Sequence, residues 1–236
     1  MKTVAFVPIK LNSERLPLKN IKSFRNGKPL ISYILNTLKN VSELDAIYVY
    51  CSSDDICDYL PKEIDYIKRD SYYDLSSTGF NEVLYSFSKI IDAETYVLAH
   101  ATAPFMSVQS IETGIRKVNC EGYDSAFTVK EIQEFMWKGG HPFNYDPHTI
   151  PRTQDLDKIS IETCGLYVYK KSLIMDEGVR IGSKPYLIPV SQIEAIDINT
   201  EEDFEIANAI FYYKTLFANK EKQIVQNEKE KNYGKD

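Results

Sequence analysis

Three cations crowd the stretch that follows the first apolar run of the chain. Thr3–Ile9 (TVAFVPI) leads directly into Lys10-Leu-Asn-Ser-Glu-Arg15-Leu-Pro-Leu-Lys19-Asn20. Lys10, Arg15 and Lys19 supply positive charge, Asn12, Ser13 and Asn20 supply small hydrogen-bonding groups, and Leu16-Pro17 stiffens the segment. A triphosphate needs cations together with backbone N–H groups, which a loop leaving a strand provides. The carboxyl edge of an open α/β sheet is also where ligands bind. The alternative is a solvated basic connector, the commoner role of a charge cluster. No Gly-Lys-Ser/Thr follows, so this is not a Walker loop. Far along the chain, Asp197 and Asn199 alternate in an extended run and project to one side. Asn199 also suits a cap on the helix that follows.

The surrounding elements must bring these distant segments together. Short apolar runs alternate with helical spacing, the signature of a layered α/β domain. Strands are expected at Thr3–Ile9, Ala46–Cys51, Ile64–Lys68, Thr95–His100, Ser125–Lys130, Thr163–Lys170, Tyr186–Val190 and Ala195–Ile198. Pro29 fits the first turn of a helix that carries Leu30, Ile34, Leu35 and Leu38 at helical spacing. Further helices are expected at Asp54–Leu60, Phe80–Ile91 and Ser107–Asn119. Thr200-Glu-Glu-Asp203 reads as a capping box for a last helix, with Phe204, Ala207 and Phe211 on one face. Glu131–Ser160 lacks periodicity, and a stretch of that length is functional or paired with another chain.

The chain has 236 residues, 43% hydrophobic and 26% charged, with a formal net charge of -6. That size buries a core without disulfides or structural metal. The acidic balance excludes general attraction to nucleic acid or anionic membrane, so an anionic ligand would need local cations. No apolar run is long enough to span a bilayer, and MKTVAFVPIK is too strand-like for a secretory signal. Cys51, Cys57, Cys120 and Cys164 form no CxxC pair or zinc spacing with the histidines, and read as reduced, mostly buried thiols of a cytoplasmic protein.

Lys10-x-x-Ser13-x-Arg15-Leu16-Pro17-x-Lys19-Asn20 resembles the signature loop of the acylneuraminate (CMP-sialic acid) cytidylyltransferases, with a similar segment in the related CMP-Kdo synthetases. Matches continue in order over most of the first 210 residues. Ser52-Ser53-Asp54-Asp55 is similar to a nucleotide-side Ser-Thr-Asp segment, although Ser-Asp pairs also cap helices. Lys68-Arg69 with Ser76-Ser77-Thr78 resembles the lining of the cytidine pocket, and fits a surface turn almost as well. Leu98-Ala-His100-Ala-Thr102-Ala-Pro104 stands where the family has Leu-Gln-Pro-Thr-Ser-Pro. Pro151-Arg152-Thr153-Gln154-Asp155-Leu156 resembles the Arg-x-Gln-Asp-Leu segment bordering the acceptor site. Glu162 and Cys164 occupy positions where sialic acid enzymes carry an Arg and an Asn that hold the acidic sugar. Glu194 to Asp203 resembles the family's Ile-Asp-Ile-Asp region, with Asn199 in place of the second aspartate.

The resemblance implies a Rossmann-like nucleotide-diphospho-sugar transferase fold, α/β with a mixed, mainly parallel sheet. Residues 1–218 would form the cytidylyltransferase domain, 131–160 a dimerisation and acceptor-site insertion, and 219–236 a charged tail. The implied reaction joins CTP to a sialic-acid-like nonulosonate, giving a CMP-sugar and pyrophosphate. Alternatives are Kdo or another acidic or phosphorylated acceptor, or an inactive nucleotide-binding protein on the same fold. Lys10, Arg15, Lys19 and Asp197 would be catalytic. The nucleotide would meet Lys10, Asn12, Ser13, Arg15, Lys19, Asn20, Ser53, Asp54, Arg69 and Thr78. His100, Thr102, Arg152, Gln154, Asp155 and Glu162 would face the acceptor, and Asp197 with Asn199 would hold Mg²⁺, a hard cation that keeps several waters. His100 would orient or deprotonate the acceptor, since imidazole titrates near working pH. A cytoplasmic homodimer is expected.

Overall fold

A computed structural model describes residues 2–214, so the expected charged tail, 219–236, lies outside the described residues. Seven strands form one sheet: β1 (Thr3–Ile9), β2 (Ala46–Cys51), β3 (Asp65–Lys68), β4 (Thr95–Ala99), β5 (Ser125–Ile132), β8 (Ile159–Lys170) and β9 (Pro185–Pro189). The order is β3-β2-β1-β4-β8-β5-β9. Every neighbouring pair is parallel except the two that involve β8. The chain leaves β1 toward β2 and β3, then returns to place β4 on the other side of β1. That reversal opens a crevice at the carboxyl end of β1, where a ligand can enter.

Alternation along the strands builds a layer on each face. Ala5, Val7 and Ile9 pack with α1 (Ile31–Leu38) and α3 (Val108–Cys120). Val4 and Phe6 face α2 (Phe80–Ile90) and a π turn, Leu173–Glu177. Phe6 stacks on Phe87 at 4.1 Å between centroids. A third cluster joins Leu16, Phe24 and Leu30 to Ile198, Phe204 and Ala207. It clamps the first loop to a last helix, α4, helical from residue 201 to residue 214, the last described.

Several boundaries differ from expectation. Residues 54–59 coil as a 3-10 turn, and Pro29 lies just ahead of α1 in an isolated bridge with Ser23. Ala195–Ile198 is no strand: Ala195 N–H closes a turn on Ser191, and only Ile198 N–H, donating to the Thr102 carbonyl at 2.8 Å, ties the segment to the sheet edge. Ile196 and Ile198 still face the third cluster, which leaves Asp197 and Asn199 toward the crevice. The capping box is present, with Asp203 N–H donating to Thr200 Oγ1 and Thr200 N–H to Asp203 Oδ2. Within Glu131–Ser160, β5 and β8 each run further than expected, and β6 (Trp137–Lys138) pairs with β7 (His141–Pro142) in a small hairpin. Of the cysteines only Cys51 is buried; Cys57, Cys120 and Cys164 are exposed and all four are free.

Candidate active site

One cavity of about 610 Å³ opens along the carboxyl edge of the sheet. The β1–α1 loop forms its floor. Leu18 takes a left-handed conformation (φ 55°), and its N–H returns to the Leu11 carbonyl at 3.2 Å, closing residues 11–18 on themselves. Buried Leu16 anchors that loop in the third cluster. Buried Asn20 donates to the Lys10 carbonyl at 3.1 Å and sets the loop's base. Lys10, Ser13, Arg15, Lys19 and Asn20 therefore all line the cavity.

Each loop cation is steered by hydrogen bonding to a neutral oxygen. Lys10 Nζ donates to the Asp74 carbonyl at 2.9 Å, Lys19 Nζ to the Ile198 carbonyl at 2.8 Å, and Arg15 Nη2 to Asn199 Oδ1 at 2.7 Å. Burial holds the Lys19 ammonium below its usual pKa, with the Asp197 carboxylate opposing that shift. Asp197 Oδ2 accepts a hydrogen bond from Asn199 Nδ2 at 2.6 Å. Among the described residues no three His, Cys, Asp or Glu gather to cage a metal. The donor set, with the Asp197 carboxylate beside Asn199, suits a cation whose other ligands are phosphate oxygens and water.

At the β3 side sits Arg69, only 4% exposed. Its Nη2 donates to the Ile9 carbonyl at 2.7 Å and to Asp74, whose other oxygen accepts from Ser52. A guanidinium so deeply buried requires a carboxylate partner. Arg69 Nε is buried without a partner among the described residues. Thr78 Oγ1 donates to the Tyr72 carbonyl at 2.8 Å and folds the 72–78 turn over the cavity, adding Tyr73, Leu75 and Ser76 to the wall. Sequence reading named Ser76 and Thr78 here but missed Tyr73, Asp74 and Leu75, because nothing in their spacing marks them until the turn has folded.

The far wall comes from β4 and β8. His100 N–H donates to the Gly165 carbonyl at 3.0 Å, and His100, Thr102 and Cys164 line the space beside Phe80. Pairing of β5 with β8 slips between Phe127/Tyr167 and Val129/Glu162, so β8 bulges there. The bulge turns Cys164 into the left-handed region (φ 56°) and toward the cavity. Its neighbour must be glycine: a Cβ on Gly165 would stand 2.9 Å from Ala103 Cβ and 2.7 Å from Met106 Cε. His100 keeps a partly exposed edge on the cavity, but its ring lies deep in the protein. Burial lowers its pKa from 6.5 to about 4, and the positive charge of Arg180 adds to the effect. That shift favours the neutral imidazole at working pH, which can orient a hydroxyl by hydrogen bonding.

The remaining candidates stand elsewhere. Asn12 is exposed and does not line the cavity. Ser53 caps the 54–59 turn, and Asp54 accepts from Tyr66 Oη at 2.8 Å and pairs with Lys68. Arg152 pairs through two hydrogen bonds with Asp155, on an exposed turn that includes Gln154 and contributes nothing to the cavity lining. Glu162 accepts from Tyr167 Oη at 2.7 Å and is also outside the lining.

A doubly wound sheet with a cation-rich cavity at its switch point defines a nucleotide-binding α/β protein. A family model described as cytidylyltransferase matches residues 4–173, and the chain belongs to that family. It is 27% identical over 207 residues to the N-acylneuraminate cytidylyltransferase of Oncorhynchus mykiss, an alignment covering 83% of this chain and 47% of the relative. The chain thus spans about half the length of that protein. It is 23% identical over 230 residues to a pseudaminic acid cytidylyltransferase of Campylobacter jejuni, covering 89% of this chain and 97% of the relative. The fold is similar to that of a CMP:2-keto-3-deoxy-manno-octonic acid synthetase solved with CTP, with a TM-score of 0.69 and 14% identity over 91% of this chain and 100% of that one. No helix among the described residues is long and apolar enough to cross a membrane.

Proposed function

We propose that this protein transfers CMP from CTP to the hydroxyl of an acidic sugar of the nonulosonate type, releasing pyrophosphate. The observation that carries this reading is the convergence of Lys10, Arg15, Lys19 and Asp197 on one cavity at the switch point of the sheet. The acceptor oxygen bonds to the α-phosphorus in line as the bond to the bridging oxygen breaks. The proton passes to solvent, and the electron pair leaves on pyrophosphate. Lys10, Arg15 and Lys19 counter the charge that grows on the leaving group, where preset cations act most strongly. Mg²⁺ held by Asp197 and the phosphates would neutralise the triphosphate further. Arg69 and the 72–78 turn take the nucleoside side, while His100 and Thr102 orient the acceptor.

Relatives named for N-acylneuraminate and for pseudaminic acid support an acidic sugar as acceptor. A homodimer acting in the cytoplasm completes the reading. Phe135, Trp137, Phe143 and Ile150 of the 131–160 excursion are exposed, Trp137 by 62%, and a partner subunit would cover them. Pyrophosphate release is the test, measured with CTP, Mg²⁺ and a panel of N-acetylneuraminate, Kdo and pseudaminic acid. Release that requires both CTP and one acid is expected. CTP binding with no release across the panel would defeat the assignment in favour of a binding protein.

A further inference from the structure

The cavity crosses the carboxyl edge of the sheet in strand order, from Arg69 after β3, through Lys10 after β1, to His100 after β4 and Cys164 in β8. Just outside the lining stands a fifth cation, Arg180, so far met only through its charge on His100. The Arg180 guanidinium sits 3.7 Å from the centroid of the Tyr167 ring and 5.3 Å from that of Phe80. The Phe80 ring in turn lies 5.5 Å from that of His100, and both line the cavity. We propose that Arg180 binds the acid group of the acceptor, as the specificity-determining residue of the β8 side of the cavity; this rests on the acidic-sugar reading above.

Charge accounting favours this residue. Arg69 is neutralised by Asp74, and Lys10, Arg15 and Lys19 surround the loop floor. Arg180 has no carboxylate partner and no side-chain hydrogen bond among the described residues, only two ring faces. A guanidinium stacked on a ring keeps its in-plane N–H donors free, in the geometry that matches a planar carboxylate. Its charge already reaches the site, since it disfavours protonation of His100. The Tyr167 ring that carries Arg180 on its face ends in a hydroxyl that donates to Glu162.

The backbone presets the side chain. The π turn Leu173–Glu177 ends at Gly178 in the left-handed region (φ 69°), and Val179 N–H closes it on the Leu173 carbonyl at 3.1 Å. Such turns occur often at functional sites. Val179 and Ile181 both pack on the core layer of α2, β4 and β8, so the residue between them is fixed on each side.

The test compares the parent with Arg180→Met, which keeps an apolar stem on the rings, and with Arg180→Lys. Calorimetry on the CTP-loaded proteins measures binding of N-acetylneuraminate, Kdo and pseudaminic acid, and of the methyl ester of whichever acid binds. The parent is expected to prefer acid over ester by roughly tenfold or more, the scale of a charge-assisted hydrogen bond. Arg180→Met should bring that ratio close to one with CTP affinity unchanged, and Arg180→Lys should retain part of the preference. An acid preference undiminished in Arg180→Met, or failure of all three acids to bind the parent, overturns the proposal. Arg180-dependent acid binding without pyrophosphate release would leave it standing and defeat only the transfer activity. Unchanged CTP affinity also shows that the variant is folded.

Discussion

Asn199 bridges Arg15 and Asp197: its Oδ1 accepts from Arg15 Nη2 at 2.7 Å while its Nδ2 donates to Asp197 Oδ2 at 2.6 Å. An amide accepts from the cation and donates to the carboxylate at once, which an ionised carboxylate cannot do. Aspartate at this position would bring two carboxylates together, a repulsion that a divalent cation between them relieves. Asn199→Asp should therefore lose about 1 kcal/mol of stability without metal, a few degrees in Tm. Added MgCl₂ should raise its Tm more than that of the parent. Equal stabilisation of the two by MgCl₂ would remove the metal site from residues 197–199.

Arg15 and Lys19 reach the cavity held by an amide oxygen and a carbonyl. Arg15→Ala and Lys19→Ala should each lower kcat for pyrophosphate release by roughly a hundredfold, the usual loss for a preset group facing transition-state charge. Lys19→Ala should also stay soluble and folded, because the ammonium is partly desolvated and contributes little to stability. Turnover within a few-fold of the parent in either variant would take that side chain off the phosphates.

His100 carries the clearest pH signature. Its folded pKa of about 4 lies below the ordinary 6.5, so the unfolded chain binds the proton more readily between those values. The stability it permits is complete above about pH 6.5 and declines as pH falls toward 4. A nuclear magnetic resonance titration of the His100 ring should show a midpoint near 4, and His100→Gln should flatten part of the acid limb of the stability profile. Activity should show no His100 inflection between pH 6 and 8. A ring midpoint near 6.5 would restore the general-base role.

Much of this was legible in the residues. The apolar run Thr3–Ile9 reads as a strand buried on both faces, and the cations after it sit where a parallel sheet exposes its ligand edge. Ala195–Ile198 alternates just as well, yet makes one backbone bond to Thr102 and no ladder. Period two reports extended backbone and two faces; it says nothing of whether a neighbouring strand is within reach. Asp74 and Arg180 were invisible for a different reason. Each acquires its meaning from a partner across the fold, Arg69 in one case and the rings of Tyr167 and Phe80 in the other. The low pKa of His100 likewise follows from burial, which residue type alone does not reveal.

Gly165 fixes the far wall of the cavity. The β8 bulge brings its Cα against the β4–α3 connection, where an added methyl would meet Ala103 Cβ at 2.9 Å and Met106 Cε at 2.7 Å. Met106 can swing its terminal methyl aside, but Ala103 has no side-chain freedom and lies 1% exposed in the core. The contact must therefore be relieved by moving backbone, either the bulge that carries Cys164 or the segment that carries Thr102. Gly165→Ala should cost roughly 1–3 kcal/mol, the range for overpacking a filled site, read from denaturant midpoints. Because Thr102 and Cys164 stand on the acceptor side, the KM for the acid should rise while that for CTP changes little. Loss of CTP affinity in step with acceptor affinity would show instead that the two ends of the cavity deform together.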